Sequence, residues 1–156
     1  TYPDLDGFSI HDDWGSQKET FFSPELCREM IVPYMRRVTD YVHSRGKNCE
    51  FHSCGQNIKQ VPNMIEAGWD AWFPQDIVDT HKVYDLYGDK IIVGVDPKID
   101  KTGKTPDEMR QAARDFIDRF MQPGKPCFFH YTMDCCTPEF CEELYAYSRK
   151  KACGMV

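Results

Sequence analysis

Five times along this chain a short apolar run gives way to a capped segment of helical length. The apolar runs are Gly7–Ile10, Asn48–Cys54, Ala71–Phe73, Lys90–Val95 and Pro126–Thr132. The first helical segment opens at Ser23-Pro24-Glu25, a cap with proline at the first helical position, and carries Leu26, Met30, Ile31, Tyr34, Val38, Tyr41 and Val42 at helical spacing up to Gly46. Pro33 lies inside that pattern, so a kink or break is expected there. The later helices are read from Ile58 to Gly68, near Val83 to Tyr87, from Thr105-Pro106-Asp107 to Met121, and from Thr137-Pro138-Glu139 to about Lys151. Such alternation predicts an α/β fold, a parallel sheet joined by right-handed crossovers. A closed (β/α)8 barrel takes about 250 residues, and the chain has 156. It is therefore either an open five-stranded sheet or part of a barrel.

Polar residues gather after the strands, where open α/β sheets and βα barrels place their ligands. Asp12, Asp13, Trp14 and Gln17 follow the first strand, and His52 and Cys54 close the second. Gln75 and Asp76 follow the third, Asp96 the fourth, and His130, Cys135 and Cys136 the fifth. No glycine-rich dinucleotide or phosphate loop is present. Strand alternation points His52 and Cys54 to one face, and imidazole with thiolate is half of a tetrahedral zinc shell. Taken alone, the pair reads better as a buried cysteine beside a hydrogen-bonded histidine. If the first strand runs on, Asp12 and Asp13 face opposite ways, one to the pocket and one to the helices. Loop capping is the competing role for Asp12, Asp13, Gln17, Gln75, Asp76 and Asp96. His11, His43 and His81 read as structural, and Trp14, Trp69 and Trp72 as packing residues, with Trp14 alternatively a wall of the pocket.

Composition narrows the partners. A formal charge of −6 argues against nucleic acid and anionic membranes. No run approaches the roughly 18 apolar residues of a membrane span, and no signal segment is apparent. The opening Thr1-Tyr2-Pro3 reads as a processed or excised piece. Eight cysteines in a chain of this length, with Cys135 and Cys136 adjacent, read as reduced thiols in a cytoplasmic enzyme. Cys27, Cys49, Cys127, Cys141 and Cys153 are expected to be small core residues.

Asp12-Asp13-Trp14-Gly15-Ser16-Gln17, Ser23-Pro24, His52-Ser53-Cys54-Gly55, Gly68-Trp69-Asp70-Ala71 and Gly94-Val95-Asp96-Pro97, in that order, resemble the uroporphyrinogen decarboxylase superfamily from about Asp4 to Lys150. The resemblance is to the C-terminal half of a (β/α)8 barrel. It implies one partial-barrel domain over residues 1–156, about five of eight units, with the first strands absent from this chain. Open sheet edges would then favour a homo-oligomer. One branch of the superfamily decarboxylates uroporphyrinogen acetate groups without a cofactor. The other comprises zinc methyltransferases that move a methyl group between a corrinoid, free or on a partner protein, and a thiol or folate acceptor. Their ligands are an H-x-C pair and a distant cysteine, so His52 and Cys54 place the chain nearer this branch. At the third-ligand position the sequence departs: His130 falls nearest, with Cys135 and Cys136 as alternatives. Asp13, Gln17 and Asp96 are expected as catalytic groups, and Asp12, Trp14, Gln75, Asp76 and His130 as substrate contacts. The other readings are a metal-free decarboxylase and a non-catalytic fragment with a structural metal.

Overall fold

In the computed structural model, which describes residues 4–129 and 136–155, local signals set most element boundaries. The strands are β1 (Gly7–His11), β2 (Asn48–Ser53), β3 (Ala71–Pro74), β4 (Ile92–Val95) and β5 (Cys127–Phe129). The helices are α1 (Pro24–Met30), α2 (Val32–His43), α3 (Val61–Glu66), α4 (Thr80–Tyr87), α5 (Pro106–Phe120) and α6 (Pro138–Ala152). Ser23 Oγ accepts from the Leu26 amide, and Thr137 Oγ1 from the Phe140 amide. Thr105 and Glu108 form a reciprocal capping box. The break expected at Pro33 occurs just before it: α1 ends at Met30 and α2 starts at Val32, with proline in its first turn. The strand expected from Lys90 begins later, at Ile92. The Lys90 and Ile91 amides instead close the end of α4 on the Tyr87 carbonyl, at 2.8 and 3.1 Å.

The strands pair in parallel in the order β1-β2-β3-β4-β5. That order has no reversal point, and crossovers of one hand laid along it put every helix on the same face. The core agrees. Cys49, Phe51, Trp72, Val93 and Val95 form one buried cluster with Cys27 of α1, Val42 of α2, Met64 of α3, Tyr84 of α4, Phe116 of α5 and Phe140 of α6. The alternate strand residues face away from the helices. These are Ser9 and His11 on β1, paired in register with Glu50 and His52, then Ala71 and Phe73, Ile92 and Gly94, and Phe128. A methyl group on Gly94 would lie 2.7 Å from the Phe128 ring, so glycine makes room for Phe128 on that face. A sheet wound in one direction, with helices outside and mixed polar and aromatic residues inside, is part of a (β/α)8 barrel.

Trp69 and Trp72 are buried, as expected. Among the described cysteines none is bridged; Cys27 and Cys49 are fully buried, but Cys153 is exposed at the end of α6 rather than in the core. No helix of the described residues is long and apolar enough to cross a membrane.

Candidate metal centre

β2 carries the centre, and its C-terminal end is held from behind by buried polar groups. Ser53 is fully buried on the helix side. Its hydroxyl accepts from the Trp14 amide at 2.9 Å and from Asn57 Nδ2 at 2.8 Å, and donates to the Cys54 carbonyl at 3.3 Å. All the bonding capacity of that hydroxyl is therefore engaged. Asn57 Nδ2 also donates to the Cys54 carbonyl. The chain then turns at Gly55, whose φ of +94° favours glycine. A Cβ there would stand 2.3 Å from the Gly15 carbonyl carbon, so the loops after β1 and β2 touch backbone to backbone.

On the opposite face His52 Nδ1 lies 2.8 Å from the Phe73 carbonyl oxygen. A carbonyl only accepts, so Nδ1 carries the proton and neutral His52 presents an unprotonated Nε2. That nitrogen lies 3.4 Å from Cys54 Sγ, which confirms that the two side chains share a face. The Asp13 carboxylate joins them: Oδ1 accepts from the Cys54 amide at 3.0 Å. One donor atom each from Asp13, His52 and Cys54 falls within 4.8 Å of the others.

Electrostatics follows from this packing. The amide and thiol of Cys54 donate to Asp13 and hold its carboxyl below the usual carboxylate range. Burial raises the Cys54 thiol, and the hydrogen bond and charge of Asp13 push it further up. Asp13 is therefore an ionised acceptor at neutral pH, beside a thiol that keeps its proton until a cation competes for the sulfur. Imidazole nitrogen, thiolate and carboxylate are the donor set that zinc takes. The arrangement can hold a metal with an open coordination position.

The other expected site residues are placed unevenly. Asp12 and Asp13 do diverge. The Asp12 amide extends the β1–β2 ladder to the His52 carbonyl at 3.1 Å, and its carboxylate accepts from Trp14 Nε1 at 3.1 Å. Trp14 does not wall the open face. It is 1% exposed on the helix side, packed on Phe51 and Phe22, because its amide is tied to buried Ser53. Gln75 Oε1 accepts from the Gly55 amide at 2.8 Å, and Gln17 Nε2 reaches the same oxygen at 3.5 Å, so these side chains brace the turn beside the centre. Asp76 is exposed. Asp96 stands apart in the loop after β4, where its carboxylate caps the Lys98 amide at 2.9 Å and its carbonyl accepts from His81 Nε2 at 2.8 Å. His130 and Cys135 lie outside the described residues. Cys136 packs against the helix-side core and is not among the donors gathered with His52 and Cys54.

One neighbour was missed. His11, read above as structural, lies in register with His52 on the same face, with ring centroids 4.7 Å apart. Alternation within Ser9-Ile10-His11 carried that signal, but only once β1 and β2 are paired.

The family model for uroporphyrinogen decarboxylase (URO-D) matches residues 6–130. No curated protein matches the chain.

Proposed function

Because the chain belongs to the uroporphyrinogen decarboxylase family, we propose that it acts as a zinc methyltransferase, passing a methyl group between a corrinoid and a thiol or folate acceptor. One observation carries the reading. His52 is held by a main-chain carbonyl so that its unprotonated Nε2 faces Cys54 Sγ at 3.4 Å. That is how ligating histidines are commonly oriented, through a hydrogen bond on the second ring nitrogen. A zinc ion bound there would lower the pKa of an acceptor thiol and keep it as the nucleophilic thiolate at neutral pH.

The chain's own residues supply the rest. The Phe73 carbonyl fixes the tautomer of His52. Gln75 and Gln17 brace the Gly55 turn that aims Cys54. Buried Trp14 closes the helix side.

Zinc analysis of the purified protein, with Cys54→Ala as control, tests the reading. Near one zinc per chain is expected, lost in the variant, with thiol-dependent demethylation of methylcobalamin by the wild type alone. A wild type without zinc that decarboxylates a porphyrinogen would refute it.

A further inference from the structure

We propose that Asp13 is the third protein ligand of this centre, so that the chain holds its metal through one imidazole, one thiolate and one carboxylate. The inference rests on the zinc reading above and deepens it. That reading needs a third ligand, and the sequence points for it to the region after β5. The donor that the structure brings to His52 and Cys54 comes instead from the loop after β1.

Three observations favour Asp13. The first is spacing. Ligands bound at 2.0–2.3 Å in a tetrahedron stand about 3.3–3.8 Å apart. The His52 Nε2 to Cys54 Sγ edge is already 3.4 Å, and an Asp13 oxygen lies within 4.8 Å of a His52 ring nitrogen and of Cys54 Sγ. A small rotation of an exposed loop carboxylate covers the difference. The second is preorganisation. The Cys54 amide binds Oδ1 at 3.0 Å, so the carboxylate is oriented by the backbone of a co-ligand. The third is charge. Asp13 makes no ion pair among the described residues, yet it sits beside a thiol. A divalent cation that displaced the thiol proton would sit between carboxylate and sulfur, with no lysine or arginine among the donors gathered there.

The topology explains why this aspartate is available. β1 pairs with β2 so that His11 lies opposite His52, and the Asp12 amide continues the ladder to the His52 carbonyl. The next residue, Asp13, is thereby set beside Cys54. Asp12 turns away to Trp14, which leaves Asp13 as the carboxylate of the pair on the metal's face.

X-ray absorption and zinc affinity, the latter by competition with a chelating dye, decide the matter. In the wild type the zinc should show one sulfur neighbour and otherwise light atoms. Asp13→Asn should weaken binding by more than the roughly 100-fold typical of losing an outer-shell partner. Asp13→Cys should restore binding and add a second sulfur to the spectrum, a gain that a merely orienting residue cannot produce. Cys135→Ser, Cys136→Ser and His130→Gln should leave affinity within about threefold, against the larger loss expected for a ligand. Two sulfurs in the wild-type spectrum would overturn the assignment, as would full zinc binding by Asp13→Asn; either result leaves the zinc methyltransferase reading standing. Absence of zinc from the wild type would overturn both.

Discussion

The two ends of β2 carry the same residue types and do opposite things with them. Asp13, His52 and Cys54 cluster at its C-terminal end, and His43, Cys49 and Asp70 at its start. At the start the Asp70 carboxylate is already committed within the protein. Asp70 Oδ2 accepts from the Cys49 amide at 2.7 Å and lies 2.8 Å from His43 Nε2, and the Asp70 amide donates to the Cys49 carbonyl at 3.0 Å. Cys49 faces the helices and is fully buried, and burial, with the Asp70 charge adding to it, pushes its thiol up to about 11. This is a latch joining α2, β2 and β3. At the other end the sulfur is only half-buried, and an imidazole lone pair faces it. Residue type is therefore a poor guide by itself. The face of the strand and the prior commitments of each donor separate a structural knot from a site.

The largest expected difference between the ends is in metal binding. Cys54→Ala and His52→Ala should each abolish stoichiometric zinc, whereas His43→Ala should leave it intact by metal analysis. Zinc lost from His43→Ala would break the comparison. Next comes Gly55→Ala, which forces a side chain into a left-handed turn already in contact with Gly15. A loss of about 2–3 kcal/mol is expected in urea unfolding, with weakened zinc binding. Asp70→Ala should cost about 1–3 kcal/mol by leaving the Cys49 amide without its acceptor. Its zinc affinity should be unchanged, and a parallel fall would show that the two ends are coupled. The smallest effect belongs to His43→Gln, which removes a partly exposed contact with Asp70 and should shift stability by less than about 1 kcal/mol in the same measurement.

Much of the fold was legible because its signals are local. Ser23, Thr105 and Thr137 each precede a proline and do cap helices, and Pro33 marks a real boundary. Alternation alone placed His52 with Cys54, since two residues on one strand share a face whatever the partner strand. What escaped depended on contacts distant in sequence. Asp13 could be seen as one of two candidate carboxylates, but its nearness to Cys54 follows from strand pairing across 41 residues. Trp14 was open between packing and the pocket wall, and a hydrogen bond to Ser53, 39 residues away, turns it into the core. His11 became visible beside His52 only through the β1–β2 register. Boundaries slipped where a neighbouring element competed for amides, as the end of α4 does for Lys90 and Ile91.

The hydrogen bond that orients His52 ends on the main chain of Phe73 rather than on a side chain. Any amino acid at that position offers the same oxygen. The imidazole's tautomer is thereby insulated from point mutation next door, and the side chain of residue 73 is free to diverge without altering the nitrogen offered to a ligand. Only a slip of β3 against β2 would undo that setting, and a one-residue slip would turn Trp72 and Phe73 to the wrong faces.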